Sequence, residues 1–64
     1  MPLITLTTDF GLQDAYVSAL KAQLYNQLEA PEIVDISHLI DPFHIIQAAY
    51  VLGSVYRSFP QGSI

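Results

Sequence analysis

The sequence predicts an α/β fold, the βαβα portion of a parallel-sheet domain followed by the first residues of a further strand. Three observations predict it. Short β-branched runs alternate with longer stretches of helical period, an order that builds parallel sheets with right-handed crossovers. The strand runs are largely apolar or Thr, as expected of strands covered on at least one face and commonly both. An acidic turn carrying Asp9 and Asp14 follows the first run, at the carboxyl end of a strand, where open α/β sheets bind small molecules.

Leu3-Ile4-Thr5-Leu6-Thr7-Thr8 reads as the first strand and ends at Asp9. From about Gln13 the period changes. Tyr16, Leu20, Leu24 and Leu28 recur every four residues with Ala19 and Gln27 beside them, one face of a helix that Pro31 closes. Ile33-Val34-Asp35-Ile36-Ser37 is a second strand with Asp35 its one charge, ending in the polar pair Ser37-His38. Asp41-Pro42 signals a second helix, with Asp41 as N-cap and Pro42 pre-set for the first helical position. Ile45, Ala48, Ala49, Leu52, Val55 or Tyr56, and Phe59 form its stripe, and Gly53 within it implies close packing. Phe59-Pro60-Gln61-Gly62-Ser63-Ile64 reads as the turn that introduces a third strand. No internal repeat, low-complexity tract or linker interrupts the pattern.

Composition argues that this is part of a larger domain. Hydrophobic residues make up 52% of the 64, charged residues 12%, and the mean hydropathy is +0.38, whereas an average soluble domain is about 25% charged. Two parallel strands with their helices leave sheet edges bare, and without Cys no disulfide or thiolate-metal staple can compensate. The two His and six acidic residues fall at no zinc-finger spacing. Residues 1–64 are therefore expected to be a partial N-terminal domain that continues past Ile64 and that, in isolation, folds poorly or aggregates. A net charge of −4, with Lys21 and Arg57 the two basic residues, leaves no footprint for nucleic acid or anionic lipid. No basic leader region precedes the first strand, and no apolar stretch reaches the roughly 20 residues of a membrane span. Together with the absence of Cys, this points to the cytoplasm.

The acidic turn is informative by what it lacks. A phosphate cradle needs Gly-rich backbone amides and usually a Lys, and neither pattern occurs. Ionised carboxylates accept hydrogen bonds only, so Asp9 and Asp14 suit donors: a ribose diol, an ammonium group, a metal ion or its water.

The run Ile4-Thr5-Leu6-Thr7-Thr8-Asp9-Phe10-Gly11, then Asp14-Ala15-Tyr16-Val17, Val34-Asp35-Ile36-Ser37-His38, Pro42-Phe43, Ala48-Ala49 and Phe59-Pro60-Gln61-Gly62 resembles the N-terminal part of the S-adenosyl-L-methionine (SAM) hydroxide adenosyltransferases, relatives of the fluorinase and chlorinase. The resemblance covers essentially the whole chain, about Ile4 to Ile64, with every element in order. It implies a Rossmann-like, three-layer domain. It also implies attack on the ribose C5′ of SAM by hydroxide derived from water, or by halide in the halogenases, with displacement of methionine and no metal or organic cofactor. Asp9 matches the family position that accepts the two ribose hydroxyls. A bidentate carboxylate on a vicinal diol holds the sugar so that C5′ meets its attacker in line. Asp14 matches a position near the methionine end, where a carboxylate can pair with the α-ammonium. Tyr16 stands two residues on, where the fluorinase has a smaller hydroxyl residue. Phe43 matches an aromatic position that helps to wall the ribose and sulfonium region against water. His44 stands where many relatives carry an acid, and Ser18 and Ala22 stand where Gly is common. The Asp, Arg and His that activate water in hydroxide-transferring members would lie beyond Ile64, as would the C-terminal domain that contacts adenine, so no catalytic residue is expected within these 64. Family members are homotrimers with pockets built between subunits. The Asp9-Phe10-Gly11 triplet also occurs in protein kinases, but no Gly-rich loop, strand Lys or HRD loop accompanies it.

Plainer readings stand beside these. An Asp at a strand end can bond to nearby backbone amides, and Asp14 before a helix is favoured by the helix dipole without any ligand. His38 can line the pocket but reads as a satisfied structural histidine, and His44 reads as a helix-surface residue. Phe43 can simply cap the core, Tyr16, Tyr25, Tyr50 and Tyr56 are by default core or interface residues, with Tyr16 alone near the turn, and Lys21 and Arg57 are solvated. Two alternatives to SAM cleavage follow. One is a non-catalytic adenosyl-binding or structural remnant, and the other a Mg²⁺ site for phosphoryl transfer on Asp9 and Asp14.

Overall fold

The computed structural model describes residues 3–64. Strand β1 (Leu3–Thr7), helix α1 (Tyr16–Gln27), strand β2 (Glu32–Ser37) and helix α2 (Ile45–Val55) follow one another, and a single 3-10 turn spans Tyr56–Ser58. The two strands pair in parallel, Ile4 opposite Ile33 and Leu6 opposite Asp35, so the α/β βαβα portion expected from the sequence is present. Ile64, where the sequence predicts the first residues of a third strand, also bonds to β1. Ile64 donates its N–H to the Leu3 carbonyl (2.9 Å) and accepts from Thr5 N–H (2.6 Å), the bond pair of a parallel ladder centred on Ile4. Ile64 thus lies against the edge of β1 opposite β2, beside the two-stranded sheet.

The helices take opposite faces. Lys21 of α1 reaches Asp35, which lies across from Leu6, so α1 covers the face that carries Ile4 and Leu6. Thr7 shares a cavity with Ala48 of α2, and Thr5 shares one with Leu52, so α2 covers the other face. The result is a slice through a three-layer α/β/α arrangement. Its Cα envelope is 32 × 29 × 13 Å, and the thin dimension matches two or three strands spaced about 4.8 Å apart.

The core is small. Among the described residues, Ile4, Leu6 and Ile40 are the buried hydrophobic ones and His38 the buried polar one, and neither helix has a fully buried residue. The accessible surface is 4976 Å², against roughly 4,100 Å² for a compact 7.1 kDa protein by surface-to-mass scaling. Large apolar side chains stay open along α2 and its approach, among them Phe43, Ile45, Ile46 and Tyr50.

Three local expectations are corrected. The inner face of α1 is Val17, Leu20, Lys21 and Leu24, while Tyr16 and Leu28 are exposed. A strict four-residue row drifts about 40° per step around a helix of 3.6 residues per turn, so i, i+3, i+4, i+7 spacing stays on the sheet where i+4 alone does not. Helix α2 begins three residues after the predicted start. His44, not Asp41, is its N-cap: the His44 ring Nδ1 accepts from Gln47 N–H (2.9 Å), and Gln47 Oε1 reaches back to accept from Asp41 N–H (2.8 Å), a variant of the reciprocal capping box. The Asp41 carbonyl instead accepts from His44 N–H (3.0 Å), closing a turn in which Pro42 takes the position that suits its fixed φ. Finally, Gly53 marks no close packing, since a Cβ there would meet nothing within 4 Å.

Candidate functional site

The site forms where β1 ends. After Thr8 the chain must leave the sheet, and it does so through Gly11, whose φ of +75° suits glycine. Two bonds to the neighbouring strand hold the exit: Thr8 N–H donates to the Ser37 carbonyl (2.8 Å) and Gly11 N–H to the His38 carbonyl (2.7 Å). Asp9 therefore projects from the strand end as an exposed residue between two anchored points.

On the α2 side, Asp9 and Phe43 come together. Asp9 Oδ2 accepts from the backbone N–H of Phe43 at 3.1 Å. Both line a cavity of about 210 Å³ with Thr7, Thr8, His44 and Ile45. Phe43 sits at φ +60°, which costs a bulky L-residue on the order of 1–3 kcal/mol, and its side chain is 93% exposed. Among the described residues the Phe43 ring therefore covers no part of the core.

Asp14 and Tyr16 are not part of that wall. Asp14 precedes the α1 N-cap Ala15, which makes no side-chain cap bond, and it lines a separate cavity of about 380 Å³ with Ser18, Lys21, Asp35 and His38. Its carboxylate has no hydrogen-bond partner among the described residues. Tyr16 packs its ring on Phe10, centroids 5.8 Å apart and planes tilted by 43°. Asp9 and Asp14 thus line different cavities, and among the described residues no three His, Cys, Asp or Glu side chains gather into a metal-binding group.

A third constellation lies on the α1 side. Lys21 Nζ donates to Asp35 Oδ2 (2.8 Å), Asp35 Oδ1 meets His38 Nε2 (2.8 Å), and His38 Nδ1 meets Thr8 Oγ1 (2.6 Å). A carboxylate only accepts, so Nε2 carries a proton, and in the neutral ring Nδ1 accepts from the Thr8 hydroxyl. The bond to Lys21, then the bond to His38, holds the Asp35 carboxyl below its ordinary value of 3.8. Lys21, expected to be solvated, is paired. His38 is the satisfied histidine that the sequence suggests, with both ring nitrogens engaged and 5% of its surface exposed. Arg57 is exposed and lies over the ring of Tyr56, 5.6 Å from its centroid.

Residues 4–64 match the model of the SAM hydroxide adenosyltransferase N-terminal domain. The chain belongs to the SAM hydroxide adenosyltransferase family. It is 45% identical to an (R)-S-adenosyl-L-methionine hydrolase of Methanocaldococcus jannaschii, over 94% of this chain and 24% of that protein. A protein of the same name from Thermus thermophilus is 37% identical over 89% of this chain and 22% of its own length. A fluorinase of Nocardia brasiliensis is 29% identical over 98% of this chain and 21% of its own length. The chain thus spans about a quarter of the length of the curated relatives it matches. The matched adenosyltransferase domain contains Asp9, Phe43 and the Lys21–Asp35–His38–Thr8 network alike.

The sequence singles out Asp9 by residue type and Phe43 by resemblance, and the structure brings these two together, but the link between Thr8, Asp35 and His38 is not read from it. In a regular strand, residues three apart point to opposite faces, which separates Asp35 from His38. The structure has a register shift: Leu6 pairs with Asp35 but Thr7 pairs with Ser37, leaving Ile36 as an extra residue. That bulge turns Asp35 and His38 to one face. The signal in the sequence was a pair of polar residues, Asp35 and His38, flanking the end of an otherwise apolar strand.

Proposed function

We propose that the full-length protein cleaves SAM at the ribose C5′ to give adenosine and L-methionine, and that this chain supplies one wall of the site. Two relatives named as SAM hydrolases support the reading. The observation that carries it is the exposed Asp9 carboxylate at the strand end, sharing a cavity with a strained, exposed Phe43. Asp9 holds the ribose diol through its two oxygens, one of which also accepts from Phe43 N–H. Phe43 shields the ribose and sulfonium region from bulk water. Asp14, which lines the separate cavity, pairs with the ammonium of the methionine end, and Tyr16 stands two residues on with its ring packed on Phe10. The oxygen of water attacks C5′ as its proton passes to a base. The C5′–S bond breaks, its electron pair stays on sulfur, and methionine leaves as a neutral thioether. No electrons are transferred, so no redox cofactor is required. The water-activating groups lie beyond Ile64 in this reading.

Among the described residues no helix is long and apolar enough to cross a membrane. The zero-Cys composition supports a cytoplasmic setting. A homotrimer with pockets built between subunits is carried over from the family resemblance, and the open apolar residues of α2 leave a face for another part of the full-length protein to cover.

Adenosine release from SAM by the product of the full reading frame, followed by chromatography with and without halide, tests the proposal. Adenosine in halide-free buffer, lost in Asp9→Ala, is the expected result. Saturable SAM binding without product would identify a non-catalytic relative, and activity that requires Mg²⁺ would move the chemistry to phosphoryl transfer.

A further inference from the structure

We propose that His38 is a positioning residue for the Asp9 turn, acting through the hydroxyl of Thr8. The proposal rests on the adenosyl-site reading for its effect on substrate, while its structural claim stands on contacts alone. Asp35 fixes the imidazole, because a carboxylate that also holds Lys21 leaves His38 Nε2 one orientation at 2.8 Å. The other ring nitrogen then faces Thr8 Oγ1 at 2.6 Å. The Thr8 oxygen in turn accepts from the backbone N–H of Phe10 at 3.3 Å, while the His38 carbonyl accepts from Gly11 N–H at 2.7 Å. Asp9 therefore lies between a residue whose side chain is locked and two whose amides are engaged.

Burial gives the network its leverage. His38 is buried while Asp9 is exposed, so removing the imidazole leaves the Thr8 hydroxyl short of a partner in a partly dry setting, where unpaired polar groups are costly. Thr8 lines the same cavity as Asp9 and Phe43, so a change in its rotamer is felt at that cavity wall. The bulge at Ile36 is what brings Asp35, His38 and Thr8 to one face, consistent with the tendency of bulges to re-aim side chains next to active sites.

The test uses the full-length protein with Thr8→Val, Thr8→Ser, His38→Ala and His38→Asn. Val removes the hydroxyl at constant shape, Ser keeps it, and Asn returns a polar atom near the Nδ1 position. Two readouts are taken: KM and kcat for SAM cleavage, and hydrogen–deuterium exchange of peptides covering residues 7–12. Loss of one hydrogen bond predicts that KM rises about tenfold in Thr8→Val and His38→Ala, with faster exchange at Phe10 and Gly11 and with Ser and Asn restoring both. Unchanged exchange in Thr8→Val overturns the proposal, as does a fall in thermal stability with KM unmoved. A wild-type protein that neither binds nor cleaves SAM refutes the function proposed above, and exchange then decides alone whether His38 holds the turn. If His38→Ala does not fold, Thr8→Val carries the same decision.

Discussion

The end of β1 presents two polar arrangements side by side, and they differ in how far their groups are already satisfied. On the α1 side, Lys21, Asp35, His38 and Thr8 form a closed chain, and His38 is buried with both ring nitrogens engaged. On the α2 side, Asp9 accepts one backbone hydrogen bond and faces a cavity, and Phe43 is exposed at a φ that disfavours it. A closed network stabilises and orients. Unspent acceptor capacity beside a strained aromatic is the arrangement that the proposed ribose site needs. In the proposed reading, the first side positions the turn and the second contacts the ligand.

The largest expected effect breaks the α2 side. If Asp9 bonds both ribose hydroxyls, at about 1.5–3 kcal/mol for each charge-assisted bond, Asp9→Ala weakens SAM binding by roughly a hundredfold or more. The far-ultraviolet circular dichroism should stay unchanged. Equal loss of binding and helical signal would make Asp9 structural and erase the contrast.

Phe43→Gly sharpens the contrast by moving stability and binding in opposite directions. Glycine adopts φ +60° without strain, so the full-length protein should gain about 1 kcal/mol in thermal unfolding. Loss of the ring should raise KM for SAM. A variant that loses stability instead would show that the ring packs against something and that the strain has a structural origin.

The α1 side is tested by pH. Lys21 and then His38 hold the Asp35 carboxyl below its ordinary value, so the folded state binds fewer protons at this group than the unfolded chain. Its stabilising contribution is complete above the unfolded value near 4 and is lost as pH falls through the lower folded value. The melting temperature of Asp35→Asn should therefore lie below wild type at neutral pH, with the gap closing below about pH 4. With the Asp35 side chain 43% exposed, the gap should be modest. A gap that does not change with pH would mean that the carboxylate charge contributes nothing.

The smallest effect concerns Gly53, where an added Cβ would find no neighbour within 4 Å. Gly53→Ala should stabilise α2 by about 0.5–1 kcal/mol, read as a raised melting temperature. Destabilisation in the full-length protein would show that another element packs on that face of α2.

Much of the fold was legible in the residues themselves. Alternating period marked two strands and two helices in order, and the β-branched runs at Leu3–Thr8 and Ile33–Ser37 fell within one residue of β1 and β2. Helix ends were less legible because caps depend on side-chain reach. Asp41-Pro42 has the right residue types for a start, but the pair formed a turn, and His44 and Gln47 capped α2 three residues later.

Sequence by itself determined the α/β order, the acidic strand-end turn and the presence of Asp9 and Phe43, because residue type and spacing act locally and survive in any context. Tertiary structure decided which of these residues meet. Asp9 and Phe43 are 34 residues apart and touch because β1 and β2 are paired in parallel, which brings the segment after β2 back to the end of β1. Asp35, His38 and Thr8 meet because one extra residue at Ile36 shifts the register. A bulge of that kind depends on how two strands pair, and pairing is a property of the folded sheet that no single strand contains.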